Sequence, residues 1–464
     1  MADRLPPLGV VTVPYSPDPS PYFTVLRHRP DAILLDSGRP KAPGGRFDIL
    51  SSDPIYTLSQ EAGQLRCSPS LPGLPNAPFE AQRYLLDHCI NHHLPLLEAS
   101  LAERYRALPF FGGLMGQWGY TLAQAHRQGA PDSRPGGTLP VLRLGVYDWA
   151  LIQDHETQRS YLIASAERRE AVLSWLKTPP TETDSSAFAL TTAFTPDMDR
   201  NSYGERFRRV QAYLQAGDCY QINLAQRFTA GYRGDLWQAY RQLREATPTP
   251  YAGYLATDGG GTLSLSPERF VRAIDGQIET RPIKGTRARG NTPSEDRRLA
   301  EALQTSAKDR AENIMIVDLL RNDLGRVCRP GSVEVPQLCG LESYANVHHL
   351  VSVIRGELED GVDPLDLLAA AFPGGSITGA PKHRAMQIID ELEPSQRSVY
   401  CGSLGYVDRR GRMDTSIAIR TVVAQAQTLH IWGGGGLVAD SQEQEEYDET
   451  LAKITRLMTA LGGG

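Results

Sequence analysis

The sequence predicts an α+β protein with mostly antiparallel β-sheets and helices packed outside them. Strand-like segments follow one another as neighbours, at residues 220–228, 262–266, 278–283, 403–407, 415–423 and 429–432. Helical patterns fall in separate stretches, at residues 292–324, 364–371, 382–392 and 441–461. Because a parallel sheet needs a crossover helix between successive strands, this grouping favours antiparallel pairing.

Local signals support the individual elements. Ser202 and Glu205 form a capping box, the pattern with which a helix begins, and Gly217 is a typical helix stop. Apolar and polar residues alternate over 220–228, which predicts a strand with one buried face. Residues 441–444 form a second capping box before an apolar stripe at helical spacing, so we expect the last helix to begin there.

A composition shift suggests how the chain is divided. Its 464 residues are enough for about three ordinary domains or for one large intertwined one. Residues 178–186 are rich in Pro, Ser and Thr and have no hydrophobic period. We therefore predict an N-terminal α+β region over 1–177, a linker over 178–195, and a region over 196–464 that carries the functional site.

The overall composition excludes several classes of protein. Hydrophobic residues make up 41% and charged residues 22%, which is typical of soluble globular proteins and excludes collagen-like, coiled-coil and wholly disordered chains. The formal net charge is −6 without a long basic run, so we expect neither a nucleic acid nor an anionic membrane as a partner. No apolar stretch reaches the ~20 residues of a membrane span, and the start lacks a secretion signal, which predicts a cytoplasmic protein.

The cysteines and histidines show no familiar metal-binding motif, which limits the metal ions that the chain could bind. The six cysteines include no C-x-x-C pair, and the ten histidines form no H-E-x-x-H motif. Any metal would therefore be held by carboxylates, which favours a hard ion such as Mg²⁺.

The last helix places Glu446, Glu449 and Lys453 on one edge. At about 100° per residue, the three side chains lie within roughly 60° of one another, beside the apolar stripe. One interpretation is an ordinary surface pair between Glu449 and Lys453. The other is a Mg²⁺ site with an anionic substrate beside it, and this pattern alone leaves both open.

Glu312 is a further acidic candidate. It precedes the apolar run 314–317, in a helix that either continues from residue 292 or begins again near Ser306. A carboxylate at the edge of a buried helix requires a cation or hydrogen-bond donors. That cation could be a metal, or it could be Arg310 or Arg321 in a buried salt bridge.

Two glycine-rich segments could bind an anion. Residues 372–382 lead into a helix, but Ala380 stands where a nucleotide-binding loop needs lysine, so we reject nucleotide binding. The loop could still offer backbone N–H groups to a carboxylate. At residues 433–436 a run of glycines follows a strand, where a ligand could lie against the bare backbone; a mobile loop is the alternative.

Lys284 ends a strand-like run and precedes Gly285. A lysine whose pKa is lowered can act as a nucleophile, although a solvated lysine is the commoner case.

Taken together and in order, these motifs resemble those of the chorismate-utilising enzymes, and most closely the aminodeoxychorismate branch. The resemblance covers nearly the whole chain. It is carried by residues 218–224, 266–270, 282–286, 311–319, 349–352, 374–382, 400–402, 417–421 and 446–450. It implies two stacked, mostly antiparallel sheets flanked by helices, as in anthranilate synthase component I.

The N-terminal region resembles the family segments that line a tryptophan pocket. These segments are residues 34–37 and 45–50, with the candidates Asp36, Ser37, Phe47 and Asp48. In anthranilate synthases this pocket serves feedback inhibition, whereas here we expect any bound tryptophan to be structural.

The resemblance also implies a site for chorismate, a cyclohexadiene with two carboxylates, a hydroxyl and an enolpyruvyl ether. The implied Mg²⁺ ligands are Glu312, Glu446 and Glu449. Lys453 would bind the ring carboxylate beside the metal. The enolpyruvyl carboxylate would be received by Arg420, Tyr400 and the backbone of Gly434 and Gly435.

The remaining implied roles concern the 4-hydroxyl group. Glu268 would be the general acid that protonates it, which requires a pKa raised toward neutrality by burial. His349 and Thr378 would line the pocket nearby.

Two positions distinguish the branches of the family. Relatives that add water carry a general-base lysine where this chain has Gln221, so isochorismate and salicylate synthesis are disfavoured. Anthranilate synthases usually carry alanine where this chain has Lys284. The resemblance therefore implies that Lys284, in its neutral form, attacks C2 of chorismate as the 4-hydroxyl leaves, and that ammonia then attacks C4 and displaces the lysine from C2.

Ammonium has no lone pair with which to attack, so the resemblance implies a separate glutamine amidotransferase subunit that delivers ammonia. The expected product is 4-amino-4-deoxychorismate, on the route to 4-aminobenzoate and folate. Two alternatives remain open: anthranilate synthesis, with an ortho amine, and a tryptophan-sensing homologue without catalysis.

Overall fold

The computed structural model describes residues 5–42, 45–61, 63–125, 134, 141–177, 186–344 and 347–463. In this part the helices are α1 (Ser20–Leu26), α2 (Pro78–His92), α3 (Ala99–Arg104), α4 (Leu122–Ala125), α5 (Ala166–Lys177), α6 (Arg200–Gln215), α7 (Leu236–Ala246), α8 (Pro293–Thr305), α9 (Ala307–Leu324), α10 (Pro364–Ala371), α11 (Lys382–Leu392) and α12 (Glu443–Ala460). A 3₁₀ turn covers Gly375–Ile377.

The strands of the described residues, in chain order, are β1 (Leu8–Val13), β2 (Ile33–Asp36), β3 (Phe47–Ser51), β4 (Tyr56–Glu61), β5 (Gln64–Ser68), β6 (Gly113–Trp118), β7 (Leu142–Tyr147), β8 (Ala150–Asp154), β9 (Arg159–Ser165), β10 (Ala189–Leu190), β11 (Thr195–Pro196), β12 (Gln221–Arg233), β13 (Tyr251–Thr257), β14 (Gly260–Ser266), β15 (Arg269–Ile274), β16 (Gln277–Thr280), β17 (Ile283–Ala288), β18 (Glu334–Ser343), β19 (Val347–Glu357), β20 (Gly379–Ala380), β21 (Ser403–Asp408), β22 (Arg412–Ile417), β23 (Thr421–Gln425) and β24 (Thr428–Leu437).

These strands form two antiparallel sheets. The first has the order β1-β9-β8-β3-β2-β13-β14-β23-β24-β12-β10, and β11 and β20 also pair with β12. The second has the order β17-β19-β16-β15-β22-β21-β6-β7-β4-β5, and β18 also pairs with β19. Each sheet combines strands from before and after the predicted linker.

The two sheets stack through apolar side chains, and helices cover their outer faces. Ile49 and Ile152 of the first sheet share a buried cluster with Met115 and Tyr406 of the second. Helices α7 and α12 pack on the outside of the first sheet, and α9 packs on β17 and β19 of the second. The predicted α+β class with two stacked antiparallel sheets is thus confirmed. Among the described helices, none combines the length and apolar character needed to cross a bilayer.

The domain division stays a prediction. Residues 178–185 of the predicted linker lie outside the described residues, and the rest of the linker contributes β10 and the first residue of β11.

Two predicted helix starts are wrong. Helix α6 begins at Arg200, because Asp199 accepts a hydrogen bond from the backbone N–H of Ser202 at 2.8 Å and so caps the helix earlier than expected. Helix α12 begins at Glu443 without a side-chain cap, and the hydroxyl of Ser441 instead donates to Glu446.

Several predicted elements are divided or extended. The stretch 292–324 is two helices, since the hydroxyl of Ser306 accepts from the N–H of Asp309 and starts α9. Pro282, which has no N–H to donate to a sheet, lies between β16 and β17. The stretch 415–423 breaks where Arg420 takes a φ of 52°. The glycines 433–436 lie within β24, paired to β12, which rules out the mobile-loop alternative.

Candidate active site

The candidate site lies where β17, β12 and β24 meet the glycine-rich loop 374–379. The ammonium of Lys284 on β17 donates to the carbonyl of Ser376 at 3.2 Å. A side chain on Gly436 would meet the amide of Gln221, and its Cβ would lie 3.4 Å from Lys284 Nζ. The bare backbone of β24 therefore leaves room for the Lys284 amine beside the Gln221 amide.

Lys284 is displaced toward its neutral form. Burial lowers its pKa, and the nearby charge of Lys453 lowers it further, while Glu312, Glu268 and Glu449 act in the opposite direction. This is the direction that a nucleophilic amine requires. Lys284 is partly buried and bonded to Ser376, so it is not a fully solvated lysine.

Glu268 is displaced toward its neutral form as well. Burial raises the pKa of its carboxyl to about 7, although the Ser376 hydroxyl, Lys284 and Arg420 each favour the charged form. The Ser376 hydroxyl donates to Glu268 Oε1 at 2.9 Å. A carboxyl with a pKa near neutrality can donate a proton at physiological pH, which is what a general acid must do.

Two of the predicted metal ligands lie against the glycine run. Glu446 is 2% exposed, and its Oε1 accepts from the hydroxyl of Ser441 at 2.6 Å. A Cβ on Gly435 would lie 3.1 Å from Glu446 Oε2 and 3.7 Å from Glu449 Oε1. Glu449 is half-exposed and pairs with Lys453 at 2.7 Å, which is the ordinary i,i+4 ion pair considered above.

Glu312 projects from α9 toward the same charges. Burial raises its pKa, while Lys284 and Lys308 lower it. Among the described residues Glu312 forms no salt bridge with Arg310 or Arg321, and Arg321 pairs instead with Asp318 at 3.3 Å. The buried-salt-bridge alternative is therefore wrong.

The chemistry of these donors suits a hard divalent ion. As the side chains stand, no group of three or more His, Cys, Asp or Glu within the described ranges has metal-binding geometry. Lysines balance the acids instead, with Lys308 Nζ at 3.5 Å from Glu446 Oε1. Three carboxylates gathered around Lys308 and Lys284 nonetheless form the all-oxygen donor set that Mg²⁺ prefers.

Two of the predicted carboxylate-binding residues, Lys453 and Tyr400, lie beside Gly434. The ammonium of Lys453 donates to the carbonyl of Gly434 at 2.8 Å. A Cβ on Gly434 would lie 2.9 Å from the hydroxyl oxygen of Tyr400, whose ring stacks on Trp432 at 5.7 Å. The guanidinium of Arg420 has no hydrogen-bond partner in the part of the chain that the structure describes; burial lowers its pKa, while the charge of Glu268 raises it. It is thus free to receive an anion.

His349 and Thr378 are held by their neighbours. His349 Nδ1 and the hydroxyl of Thr286 are 2.9 Å apart, and burial lowers the pKa of His349 to about 4, so the ring is neutral at physiological pH. The hydroxyl of Thr378 donates to the carbonyl of Gly374 at 3.0 Å. Their roles toward substrate stay predictions.

The structure adds Ser376, Lys308 and Asn223 to the residues that the sequence singled out. Ser376 links Lys284 and Glu268, and Lys308 lies one helical turn before Glu312. The amide oxygens of Gln221 and Asn223 are buried and have no hydrogen-bond partner within the described residues. Lys308 could have been found from the sequence, because it lies four residues before Glu312 on the same helix. No sequence signal marks Ser376 or Asn223.

A cavity of about 360 Å³ lies between the two sheets at the predicted tryptophan pocket. Asp36, Ser37 and Phe47 line it. Asp48 lies behind the lining, where it accepts from the Ser37 hydroxyl at 2.7 Å and contacts His155 Nε2 at 2.7 Å. Asp36 is held by Arg244 at 2.6 Å.

The fold and the order of these motifs define a class of chorismate-binding proteins, and comparison with known proteins agrees. Residues 44–459 match the family described as chorismate binding enzyme. The chain therefore belongs to the chorismate-binding enzyme family, as the sequence predicted.

The comparisons also find near relatives. Aminodeoxychorismate synthase component 1 of Salmonella typhimurium is 47% identical over 457 residues, covering 97% of this chain and 98% of that protein. The protein of the same name from Escherichia coli K12 is 46% identical over 445 residues, covering 95% of each. The crystal structure of anthranilate synthase component I from Streptococcus pneumoniae has a TM-score of 0.77 at 30% identity, covering 89% of this chain and 92% of that one.

Proposed function

We propose that this chain converts chorismate and ammonia to 4-amino-4-deoxychorismate. The observation that carries the proposal is the Ser376 bridge, which joins a lysine displaced toward the neutral amine and a glutamic acid displaced toward the neutral acid. The 46 to 47% identity to proteins named aminodeoxychorismate synthase component 1 supports the same conclusion.

The two groups account for the bond changes of the reaction. The lone pair of Lys284 attacks C2, the two ring double bonds shift, and the 4-hydroxyl leaves with the proton of Glu268 as water. Ammonia then attacks C4, the two double bonds shift back, and the Lys284 amine leaves C2. The proton that the new amine loses restores Glu268, so the net change is chorismate plus ammonia giving aminodeoxychorismate plus water.

The buried amide oxygens of Gln221 and Asn223 support ammonia as the second substrate. Both are acceptors without a donor in the described part of the chain, and ammonia carries three N–H donors. A neutral amide cannot remove a proton from water, so Gln221 gives no means of activating water as the nucleophile. Together these amides would orient ammonia beside Lys284.

We further propose that Glu312, Glu446 and Glu449 hold Mg²⁺, which when bound would neutralise the ring carboxylate and withdraw electrons from the diene. Lys453 would hold the same carboxylate. Arg420 and the hydroxyl of Tyr400 would bind the enolpyruvyl carboxylate, because a planar guanidinium can donate two parallel hydrogen bonds to it. The backbone of Gly434 and Gly435 would lie against this end of the substrate.

A second polypeptide completes the proposed reaction. The names of the relatives designate a component 1, which implies another component. We propose that it is a separate glutamine amidotransferase subunit and that the pair works in the cytoplasm on the route to 4-aminobenzoate and folate. A lyase would remove pyruvate from the product.

The cavity between the two sheets is the proposed tryptophan site. Its volume of about 360 Å³ and its position between β2, β3 and β22 support a bound aromatic amino acid. The cavity lies outside the set of residues around Lys284, and we propose that tryptophan bound there has a structural role. Dissociation of tryptophan from the denatured protein, detected by mass spectrometry, would test this.

The proposed activity is tested with the purified chain, chorismate, Mg²⁺ and an ammonium salt at mildly alkaline pH. The expected product is 4-amino-4-deoxychorismate, identified by chromatography and mass spectrometry after conversion to 4-aminobenzoate by acid or a lyase. Formation of 2-aminobenzoate would instead show anthranilate synthesis. No consumption of chorismate would support the non-catalytic alternative.

A further inference from the structure

A buried ion pair, Arg397 with Glu393, lies next to the candidate site, and neither residue has a role in the proposed chemistry. Arg397 and Glu393 have side chains that are 1% and 3% exposed. Arg397 donates from Nε to Glu393 Oε2 at 2.9 Å and from Nη2 to Glu393 Oε1 at 2.6 Å. Burying two charges costs free energy, so stability alone is a weak reason for such a pair.

The pair connects two segments of the site through backbone groups. Arg397 Nη1 donates to the carbonyl of Ile377 at 2.8 Å, and Nη2 donates to the carbonyl of Asn223 at 2.6 Å. Glu393 Oε1 accepts from the N–H of Ala225 at 2.8 Å. The loop 374–379 and the start of β12 are thereby fixed to the same two side chains.

The pair also fixes a tyrosine. The guanidinium carbon of Arg397 lies 5.9 Å from the centre of the Tyr400 ring and 4.8 Å from that of Tyr120. The backbone N–H of Tyr400 donates to the carbonyl of Arg397 at 2.9 Å. Since the Tyr400 ring stacks on Trp432 as well, its hydroxyl has little freedom to leave Gly434.

We propose that Arg397 and Glu393 are positioning residues, which hold Tyr400 against Gly434 and hold the loop that carries Ser376 against Lys284 and Glu268. The proposal rests on the proposed function and extends it to residues outside the chorismate site. Only a guanidinium can make this set of bonds, because its donors are spread over a rigid plane, whereas a lysine offers one point of charge.

The effect on the reaction follows from chain connectivity. Ile377 directly follows Ser376, whose carbonyl receives Lys284 and whose hydroxyl donates to Glu268. If the bond from Arg397 to Ile377 is lost, Ser376 moves with its neighbour. A change at one buried side chain would then displace the nucleophile Lys284, the acid Glu268 and the hydroxyl of Tyr400.

The decisive variant is Arg397→Lys, which keeps a positive charge beside Glu393 but cannot reach the carbonyls of Ile377 and Asn223 together. The matched control is Arg143→Lys, at a guanidinium that binds Asp31 bidentately at 2.6 and 2.7 Å away from the site. Each is assayed with chorismate, Mg²⁺ and ammonium, and its melting temperature and circular dichroism are recorded.

We expect kcat/KM of Arg397→Lys to fall about 100-fold, because displacements near 1 Å have effects of this size. The dissociation constant for chorismate, measured by calorimetry without ammonia, should rise about tenfold through the loss of the Tyr400 contact. The control should keep both values.

The pH profile gives a readout that a purely structural role would not change. The ionisable groups facing Glu268 are Lys284, Arg420 and Cys401, and the Ser376 hydroxyl favours its charged form. Losing the Ser376 bond should raise the pKa of Glu268, so the alkaline fall of kcat should move to higher pH in Arg397→Lys. Ser376→Ala should move it in the same direction.

The outcomes separate this inference from the proposed function. A folded Arg397→Lys with the kcat/KM, chorismate affinity and pH profile of the wild type would overturn it. If Arg397→Lys does not fold, the double variant Arg397→Met with Glu393→Leu, which leaves no unpaired buried charge, takes its place with the same expectations. A wild-type chain that makes no 4-amino product refutes the proposed function instead, and chorismate affinity then decides the positioning role.

Discussion

At the scale of single residues, burial shifts the pKa values of Lys284 and Glu268 in opposite directions, and both shifts favour the neutral form. Burial lowers the pKa of the lysine and raises that of the glutamic acid to about 7, because a low-dielectric environment disfavours either charge. A neutral amine and a neutral acid can therefore face one substrate together. That pairing is what a reaction needs when it adds a nucleophile and expels a hydroxyl.

Removing the amine should stop amination. In Lys284→Ala no group is left to attack C2, so the rate of formation of the para product should fall about a thousandfold or more. The measurement is product formation from chorismate with ammonium, followed by chromatography. The control is Lys41→Ala, at an exposed lysine that pairs with Glu245 on the surface. Para product formed at the wild-type rate would contradict a nucleophilic role.

Removing the acid should change both the rate and its pH dependence. Only protonated Glu268 can give a proton to the leaving hydroxyl, so the activity that it supports falls as pH rises through its pKa of about 7. Glu268→Gln should lower kcat about 10²- to 10⁴-fold and abolish this alkaline fall. The test is a kcat profile between pH 6 and 9, with exposed Glu301→Gln as the control. If kcat of Glu268→Gln still fell at alkaline pH as in the wild type, the fall would belong to another ionisable group.

The sequence predicted the direction of the Glu268 shift because the proposed chemistry demands it. It could not predict Ser376, which lies 108 positions from Glu268 in the chain and sits in a glycine-rich loop with no hydrophobic period. Bonds between residues so far apart depend on how the loop packs, and no local pattern records that packing.

At the scale of elements, the glycines of β24 make a strand into a binding surface. Three of the four would place a Cβ against a residue of the site: Gly434 against Asn223 and Tyr400, Gly435 against Glu446, and Gly436 against Gln221. The strand keeps its ladder with β12 throughout. The backbone is therefore rigid while its surface stays open to a ligand.

A methyl group on this surface should block the substrate. In Gly434→Ala the new Cβ would lie 2.8 Å from Asn223 Oδ1 and 2.9 Å from the Tyr400 hydroxyl, closer than carbon contacts allow. We expect chorismate affinity to fall at least tenfold, with a destabilisation of about 1–3 kcal/mol from overpacking. The control is Gly9→Ala in β1, whose Cβ would meet nothing closer than 3.4 Å. If calorimetry gave Gly434→Ala the chorismate affinity of the wild type, the proposed binding surface on β24 would be contradicted.

The acidic edge of α12 should be needed for metal binding and not for folding. Glu446→Gln and Glu449→Gln each remove a negative charge near Gly435, while the apolar side chains that bury α12, such as Ile454, are unchanged. We expect Mg²⁺-dependent turnover to be abolished and Mg²⁺ affinity, measured by calorimetry, to fall about tenfold or more. The control is exposed Glu445→Gln. Full Mg²⁺ affinity and turnover in both variants would refute the metal site.

Periodicity explains why the shared edge of α12 was predictable and the glycine half of β24 was not. The spacing of Glu446, Glu449 and Lys453 is a property of one helix, so the shared edge follows from the sequence. A run of four glycines has no side-chain pattern, and it forms a strand here because β12 supplies a partner some 200 residues away. The turn at Arg420 depends in the same way on neighbouring strands, since its φ of 52° is unusual for arginine.

At the scale of the whole molecule, both sheets are built from the two halves of the chain. Strand β13 pairs with β2, and β21 pairs with β6. The sequence located a composition boundary near residue 178, and it could not show these pairings, because strands join across hundreds of residues through backbone groups that every residue type carries. The residues proposed for catalysis all come after that boundary, whereas each sheet that supports them contains strands from both sides of it.

This arrangement predicts that the region 196–464 cannot work alone. Without residues 1–177, β13 and β21 would become open edges, and buried side chains such as Leu255 and Tyr406 would lose the N-terminal residues they pack against. We expect the fragment to aggregate or to show no cooperative thermal unfolding. Its activity with ammonium should be less than about a hundredth of that of the full chain, because the residues of a disordered site are not held in position. Size-exclusion chromatography, near-ultraviolet circular dichroism and the chorismate assay measure this, with co-expression of residues 1–177 as the control that should restore activity. A monomeric, cooperatively folded and fully active fragment would show instead that the boundary near 178 separates independent domains and that the shared ladders are dispensable.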